Sequence, residues 1–596
     1  MKKYVYFLLI VLLCVFGLFA CSDSFSSLFE EDESVADWDG TTTTWSYNSN
    51  DNNGIFMQKL PSNVRTVNLN LNAAADIFMV KMNPSEDIVP GKATQFLVSA
   101  YAQSAESSAT ANDSVALLPN IPMRRDFAPA KDFVPPQIDF FATRSTSSPE
   151  PLKSVSPLAS VVADSTTKAL WVDVPTSAGG NYSEQKQVSG VQYTKRQATC
   201  RYSGSYCYVW VLDDYFSDTS DSSGKKITST VASQIGQTFD GIYKYVQHIF
   251  GEESNHMIGS SAVIEMNDKK VNIVVYDIEG DYQNSADGGT YGYFWAKDYY
   301  ETSASNDSVI KMSNEEKYFY VDSYFANKDT LTLYSTLAHE FQHMINFGVK
   351  TLNPVIEGRS NEMQLSETWS NEMCSMLCED MMQQKIEAIA DSDMKTENTP
   401  RGRLPYLCAG YVSSGIIDWL SGNDVLYSYG GAYGFGAYLA RNYGGPALVK
   451  EIATNDYVDQ KSITEALQSL GKDETFDSVF RKYARSLVLD KDEEITFNKN
   501  VSLSEPYDGY NYPMPEINIF NVTYPISETQ SLSGPALLYP DNRGQIDLRP
   551  YGFTLHLIGS TSRSSSIDLT FSSPESDTAE VYILIQPHNQ ERFTLQ

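Results

Sequence analysis

The sequence predicts an α+β fold with β-rich modules at both ends of the chain. Between about residues 168 and 500, helical and strand-like patterns follow one another without a regular β-α-β alternation. On both sides of that region, apolar residues alternate with polar ones, as they do along strands. At 596 residues the chain is too long for one hydrophobic core, so several domains are expected.

The N-terminal strand signals lie between residues 56 and 104. Val67, Leu69 and Leu71 alternate with polar residues, and 77–82 and 95–101 have the same character. The segment 105–167 is rich in Ser, Ala, Pro and Thr, which indicates a linker or a pro-segment lying over another domain.

The central region, 168–500, carries most of the helical signals. We predict strands at 206–212, 270–277 and 317–324, and helices at 231–250, 331–347, 366–390, 433–443 and 462–489. The second helix has Asp329 or Thr330 as its N-cap and Gly348 as its end. Strand signals return at 544–558, 566–571 and 580–585, which predicts a β-sandwich-like module over 501–596.

The N-terminus has the pattern of an export signal. Lys2 and Lys3 precede an apolar run over 4–20, and Cys21 follows a small residue. The ending Leu-Phe-Ala-Cys resembles the lipobox of bacterial lipoproteins, which implies a lipid on Cys21, a polar tether over 21–55 and a place on the outer or surface-exposed face of a cell envelope. The alternative is a short uncleaved anchor helix.

The chain is strongly acidic, with a net charge of −31. Such a surface repels nucleic acid and anionic lipid, so we expect neither as a partner, and a membrane contact only through the lipid. The alternative is that acidity only keeps the protein soluble. We expect a monomer. Of the remaining cysteines, Cys200 and Cys207 flank a turn-like stretch and are candidates for a disulfide.

One motif carries chemistry: His339-Glu340-Phe341-Gln342-His343. On a helix, residues four apart lie about 40° apart around the axis, so both imidazoles can reach one Zn²⁺. Glu340 is then placed to act as a base on a water held by that metal. The alternative is a chance match on a solvated helix. The helical spacing of Tyr334, Leu337, Phe341 and Ile345 opposes it, because that helix has a face to bury.

The third metal ligand is expected to be a carboxylate. A metzincin would have Gly and His three and six residues after His343, but Asn346 and Val349 stand there. Two glutamates, Glu367 and Glu372, lie near the start of the next predicted helix, and composition does not rank them.

The two motifs together resemble a known family. His339 to Phe347, with Trp369-Ser-Asn-Glu372 downstream, is similar to the glutamate-ligand zinc peptidases (gluzincins), and in particular to the hyicolysin-type secreted peptidases. The resemblance implies a thermolysin-like catalytic domain and Glu372 as the third zinc ligand. Thermolysin-like enzymes have a supporting Asp four residues after that ligand, where this chain has Met376. Glu379 or Asn346 would have to support a zinc-binding histidine instead.

A peptidase also needs a hydrogen-bond donor for the developing oxyanion. The Tyr-Gly-rich run that contains Tyr429 and Tyr433 resembles the helix start that follows the zinc helices in related peptidases, so these two tyrosines are candidates. With 38 tyrosines in the chain, a packing role is the alternative for each.

These expectations combine into a zinc-dependent endopeptidase that hydrolyses extracellular proteins or peptides. One rival is a surface adhesin or binding lipoprotein without turnover, but it would have no use for Glu340. Another is a zinc aminopeptidase, for which the sequence offers no Gly-x-Met-x-Asn segment.

Overall fold

A computed structural model of the chain describes residues 39–90, 98–102, 161–260, 263–281, 289–527, 529–538, 546–571 and 579–589. The predicted signal peptide, Cys21 and most of the predicted linker at 105–167 lie outside the described residues. Within the described ranges, no helix combines the length and the apolar character needed to cross a bilayer.

Nineteen strands lie in these ranges. In chain order they are β1 (Thr41–Tyr47), β2 (Phe56–Lys59), β3 (Val64–Leu71), β4 (Ala75–Met82), β5 (Val98–Ala102), β6 (Thr167–Val172), β7 (Glu184–Val188), β8 (Val191–Ser203), β9 (Cys207–Leu212), β10 (His256–Ile258), β11 (Val263–Glu265), β12 (Val271–Tyr276), β13 (Gly292–Phe294), β14 (Tyr318–Asp322), β15 (Thr523–Pro525), β16 (Ser531–Ser533), β17 (Phe553–Thr561), β18 (Ser565–Phe571) and β19 (Glu580–Pro587).

Of the α-helices in the described ranges, the first lies between β9 and β10, and the others lie between β14 and β15. They are α1 (Ser229–Phe250), α2 (Ser323–Lys328), α3 (Thr330–Asn346), α4 (Asn353–Ile356), α5 (Thr368–Ala390), α6 (Leu404–Gly410), α7 (Val425–Tyr443), α8 (Pro446–Thr454), α9 (Asp459–Ser469) and α10 (Phe476–Ser486). The helix predicted over 462–489 is two helices, α9 and α10. The helix is interrupted between them at Gly471, whose φ of +69° is a backbone conformation that favours glycine.

The centre of the molecule is a seven-stranded mixed sheet in the order β13-β14-β12-β9-β8-β6, with β7 also paired to β8. The three strands predicted in this region correspond to β9, β12 and β14, which lie side by side and parallel. Their residues are buried throughout, because the sheet is covered on both faces. The prediction of a mixed α and β protein is confirmed.

The two cysteines proposed as a disulfide are free. Cys200 pairs with Trp210 across β8 and β9, so it is not opposite Cys207. Cys207 and Cys200 also belong to the two different cores on either side of the sheet. A disulfide needs Cβ atoms about 3.5–4.5 Å apart, and side chains on opposite faces of a sheet cannot meet. The predicted disulfide is therefore wrong.

The N- and C-terminal β segments form one structure rather than the two separate modules that we predicted. Two four-stranded sheets, β1-β3-β18-β5 and β17-β4-β19-β2, each contain strands from both ends of the chain. Their inner faces share one core, which includes Leu69, Ile77, Leu569 and Ile583, so the two sheets form a β sandwich. In the first sheet β18 lies between β3 and β5, and in the second β4 lies between β17 and β19, so each end of the chain supplies neighbours for strands of the other end.

The tether predicted over 21–55 is shorter than expected. Its second half contains β1, which pairs in parallel with β3 and ends at the buried Tyr47. The Thr-rich stretch 41–44 looks like a polar linker by composition, but β-branched residues favour a strand when a partner strand is present.

Candidate metal centre

Helix α3 presents His339, Glu340 and His343 toward the interior. Its apolar side chains fix its orientation, since Leu337 and Phe341 are fully buried and Phe341 stacks on Tyr243 of α1 at 5.0 Å between ring centroids. Asp329 is the N-cap residue, as predicted, although its side chain makes no capping hydrogen bond. Burial of this face holds the two histidines on one side of the helix.

The end of α3 differs from the prediction. Gly348 does not end the helix, because the chain continues into a π-helical segment, Phe347–Leu352. The role of Gly348 is close packing instead. A Cβ at this position would lie 2.6 Å from the backbone nitrogen of Ser254, so only glycine fits against the chain that follows α1.

Helix α5 brings Glu372 to the two histidines. It begins at Thr368, two residues after the predicted start at residue 366, and its N-cap residue is Glu367. Helix α7 packs closely on it, since a Cβ at Gly436 would lie 2.6 Å from Met373 Cγ. Glu372 is thereby held in the interior, fully buried, facing α3.

The three predicted ligands converge on one point. His339 Nε2 lies 3.1 Å from Glu372 Oε2, and His343 Nε2 lies 3.3 Å from Glu372 Oε1. One donor atom from each residue falls within 4.8 Å of the others. Tetrahedral zinc with bonds of about 2.0–2.1 Å has its ligand atoms about 3.3–3.4 Å apart. The donor set and its spacing therefore fit Zn²⁺ with two imidazoles and one carboxylate.

The other ring nitrogen of each histidine is held by a side chain of α5. His339 Nδ1 lies 2.7 Å from Glu379 Oε1, and Ser335 Oγ donates to the same carboxylate at 2.8 Å. His343 Nδ1 lies 3.0 Å from Ser375 Oγ. An ionised Glu379 requires the proton on Nδ1 of His339, and Ser375 Oγ can accept one from Nδ1 of His343; this tautomer leaves the Nε2 lone pairs for a metal.

Glu379 supplies the support that Met376 cannot give. Of the two predicted candidates, Glu379 and Asn346, the described structure gives Glu379 the hydrogen bond to a histidine. Seven residues along a helix complete about two turns, so Glu379 lies on the same face of α5 as Glu372. Ser375 was not singled out by the sequence analysis, although its spacing of three residues from Glu372 also places it on this face.

The pKa values reflect a buried set of charges. Burial lowers the pKa of His339, but hydrogen bonds and the charges of Glu372 and Glu379 outweigh it and raise the pKa to about 10. Burial raises the pKa of Glu372, but the two histidines outweigh it and lower the pKa to about 2. A carboxylate this deeply buried is costly without a cation, so the site is suited to a positive ion.

Glu340 differs from the ligands. Both of its carboxylate oxygens are buried, and neither has a hydrogen-bond partner within the part of the chain that the structure describes. Burial raises its pKa to about 7, against the opposing charges of His339 and His343. A carboxylate with a pKa near neutrality and free lone pairs can accept and return a proton.

Glu367 has a different role from Glu372. Its Oε2 accepts a hydrogen bond from Trp369 Nε1 at 2.7 Å, and its backbone nitrogen donates to Asp459 Oδ1 at 2.8 Å. These contacts fix the start of α5, while the ligand position lies five residues further along. Of the two glutamates that composition does not rank, the structure brings only Glu372 to the histidines.

The two candidate tyrosines lie in different surroundings. Tyr429 is fully buried, and its hydroxyl has no hydrogen-bond partner among the described residues. Burial raises its pKa well above the usual value, and the nearby charge of Glu372 adds to the effect. The hydroxyl of Tyr433 instead donates to Asp380 at 3.1 Å, a carboxylate that also accepts from Arg441. Tyr433 therefore belongs to a buried ion-pair cluster.

Two residues that the sequence analysis missed contact the ring of Tyr429. Trp419 packs edge-on against it at 4.9 Å between centroids, and the guanidinium carbon of Arg403 lies 5.1 Å from its centroid. Neither residue belongs to a motif, so no local signal could have found them.

The sequence around this site matches a known family. The Peptidase M30 family matches residues 190–497, just over half of the chain, and this range includes all three candidate ligands and Glu340. The chain belongs to the peptidase M30 family. The prediction of a metallopeptidase with zinc as its cofactor is confirmed at the level of this family, as is the resemblance to the hyicolysin-type enzymes.

A relative in the family is neutral metalloprotease ShpI from Staphylococcus hyicus, 32% identical over 284 residues. The match covers 46% of this chain and 53% of ShpI, so this chain spans about half the length of that relative. Among solved structures, the M1 zinc metallopeptidase from Deinococcus radiodurans aligns over 54% of this chain and 60% of that protein, with 8% identity and a TM-score of 0.23. A likeness that low carries no argument about the fold.

Proposed function

We propose that the protein is a zinc-dependent endopeptidase in which His339, His343 and Glu372 bind the metal and Glu340 is the catalytic base. The observation that carries the proposal is the buried donor set, with donor atoms 3.1 and 3.3 Å apart, beside a carboxylate that has no partner among the described residues. Bound zinc would supply a Lewis acid that acidifies water and polarises a peptide carbonyl.

The chain's own residues divide the remaining work. Glu340 accepts the proton of the attacking water and delivers it to the leaving amine, which needs a pKa near the working pH. Glu379 and Ser375 hold the histidine rings in the tautomer that leaves Nε2 free. The gluzincin arrangement, with two histidines on α3 and a glutamate on α5, supports a thermolysin-like catalytic domain as part of this proposal.

Tyr429 is our candidate for the oxyanion donor. Its raised pKa keeps the hydroxyl protonated, and the unpartnered hydroxyl lies close enough to Glu372 and Glu340 for their charges to act on it. A buried donor without a partner is costly, and an oxyanion formed during the reaction would satisfy it. The hydrogen bond of Tyr433 to Asp380 supports a structural role for that residue.

The sheet next to Glu340 supports cleavage within a chain rather than at its end. Strand β13 is the end strand of the central sheet as described, and a Cβ at Gly292 would lie 3.2 Å from Glu340 Cγ. An end strand offers backbone groups to which an extended peptide can add as a further strand. Substrates would be extracellular proteins or peptides held alongside β13.

The proposal is tested by Glu340→Gln, with Glu367→Gln as a control of the same chemical change outside the donor set. Glu340→Gln should retain zinc by metal analysis but lower cleavage of a fluorescent casein at least about 10²-fold. The control should keep most of the activity. Near-normal turnover by Glu340→Gln would refute the mechanism and favour the binding-lipoprotein alternative.

Export and lipid anchoring complete the proposed function. The basic start, the apolar run and Cys21 support an acylated N-terminus that leaves the protein as a monomer on the outer face of a cell envelope. Cys21→Ser should abolish labelling by radioactive palmitate and release the protein from the membrane fraction. Cys408→Ser, at a buried cysteine far along the chain, is the control for the substitution itself. Unchanged labelling of the Cys21 variant would exclude this anchor.

A further inference from the structure

We propose that a turn in the C-terminal segment, residues 549–551, holds Tyr429 in its working position, and that Arg549 is a positioning residue for the reaction. The inference rests on the oxyanion role proposed for Tyr429. It concerns residues beyond 497, where the family match ends.

Tyr429 depends on its ring contacts for its position. Its hydroxyl has no hydrogen bond within the described ranges, so the ring alone fixes where the hydroxyl points. Trp419 provides the edge-on contact at 4.9 Å. A donor must lie within a fraction of an ångström of its productive position, so the placement of Trp419 matters for the rate.

Trp419 lies in an irregular segment, residues 411–424, between α6 and α7. Ser428, next to Tyr429, accepts from Leu420 N at 3.0 Å and donates to the carbonyl of Asp418 at 3.4 Å. These two bonds tie the residues on both sides of Trp419 to the helix that carries Tyr429. The segment and the tyrosine therefore move together.

The 549–551 turn contacts the same segment at three successive points. Ile416 N donates to Tyr551 O at 3.2 Å. A Cβ at Gly415 would lie 1.6 Å from the carbonyl oxygen of Pro550, so the two backbones touch where only glycine fits. Arg549 Nε donates to Asp418 Oδ2 at 2.5 Å, which places a charge-assisted bond directly before Trp419.

The turn itself is firmly attached to the β sandwich. Asn83, fully buried at the end of β4, donates through Nδ2 to the carbonyls of Leu548 and Arg549 at 3.2 and 3.0 Å. Tyr551 N donates to Ser85 O at 3.1 Å. A rigid support therefore reaches from the sandwich through Arg549 and Asp418 to Trp419 and Tyr429.

The chain provides a matched control for Arg549. Arg481 of α10 pairs with Glu580 of β19, which also joins the sandwich to the helical region. In both pairs the arginine side chain is 31% exposed and its carboxylate partner 17% exposed. Arg481 does not contact the 411–424 segment through its ion pair. Arg481 makes two hydrogen bonds to Glu580, at 2.7 and 3.1 Å, so Arg481→Gln should cost at least as much stability as Arg549→Gln, whereas only Arg549→Gln should affect Tyr429.

The test measures kcat, KM, zinc content and melting temperature of the purified full chain. We expect Arg549→Gln to lower kcat about tenfold with KM and zinc content unchanged, and Arg481→Gln to leave kcat unchanged. Asp418→Asn breaks the same ion pair from the other side and should reproduce the fall. In a Tyr429→Phe background, Arg549→Gln should cause no further loss, because its effect passes through the missing hydroxyl.

The outcomes separate the two proposals. If Tyr429→Phe is slow but Arg549→Gln and Asp418→Asn turn over like Arg481→Gln, the positioning role is refuted and the oxyanion role stands. An equal fall in the presence and absence of the Tyr429 hydroxyl also refutes it, because Arg549 would then act by another route. Full activity of Tyr429→Phe refutes the oxyanion role itself and, with it, the positioning of this hydroxyl.

Discussion

The contact between Glu379 and His339 predicts how strongly one uncharged substitution weakens zinc binding. Glu379→Gln keeps the length of the side chain and an oxygen that can accept from Nδ1, but removes the charge of a 2.7 Å bond. A hydrogen bond to a charged group contributes about 1.5–3 kcal/mol and a neutral one about 0.5–1.5 kcal/mol. The loss of about 1–1.5 kcal/mol corresponds to roughly five- to thirteen-fold weaker zinc binding.

The measurement is competition for zinc with a fluorescent chelator, and Glu387→Gln on the same helix is the control. Glu387 accepts from Gln383 Nε2 at 3.0 Å and from Met394 N at 3.0 Å, which are contacts at the other end of α5. That variant should bind zinc like the native chain. Equal zinc affinity of the Glu379 and Glu387 variants would show that the carboxylate does not strengthen the ligand, contrary to the reasoning from its charge.

Two further predictions concern the start of α5. Glu372→Gln should lower zinc occupancy and activity together. Glu367→Gln should keep its zinc and cost about 1 kcal/mol or less of stability, since only the contact with Trp369 weakens. The reverse pattern in metal analysis would show that the ligand is misassigned. Burial raises the pKa of Asp459 to about 6, so the folded state binds this proton more tightly than the unfolded state does. The contribution of Asp459 to the free energy of unfolding therefore falls as the pH rises from about 4 to 6. Asp459→Asn keeps the acceptor for Glu367 N, and asparagine tolerates the φ of +54° at this position. The substitution should raise the free energy of unfolding by about 1–2 kcal/mol at pH 7 and should not change it below about pH 4. An equal gain at both pH values in urea titrations would exclude the charge of Asp459 as the cause.

The metal site was predictable from the sequence because its information is local. The spacing of His339 and His343 fixes a shared face once the segment is helical, and the Trp-x-Asn-Glu motif gives the register of Glu372. Glu379 was one of two candidates for the support that Met376 cannot give, and the sequence did not choose between Glu379 and Asn346. The predicted segments of the central region also include β9, β12, β14, α1, α3 and α5, since each has a continuous or periodic apolar pattern, whereas β6, β7, β8, α6 and α8 were not predicted.

The main unpredicted features of the β structure depend on strand pairing, which local sequence patterns do not specify. The pairing of β3 with β18 joins residues about five hundred positions apart, and no local pattern distinguishes it from pairing within each module. The sequence of β1 has the composition of a linker, and its strand character depends on pairing with a separate segment, β3. The opposite faces of Cys200 and Cys207 follow from the register of β8 on β9, which the turn between them does not reveal.

The interleaved sandwich has a consequence for the order of folding. Strand β4 lies between β17 and β19, and β3 lies between β1 and β18. Strands that are synthesised early therefore cannot complete their pairing until the last strands have been synthesised. Contacts this remote in sequence form slowly, and the unpaired edges of β3 and β4 stay exposed to aggregation until synthesis ends. A chain cut at residue 497 would keep every candidate zinc ligand, but it would leave β4 without a partner strand and β3 paired only with β1. We therefore expect a chain that ends at residue 497 to be recovered as aggregate when made alone, and as folded protein when residues 546–589 are supplied as a separate fragment during refolding.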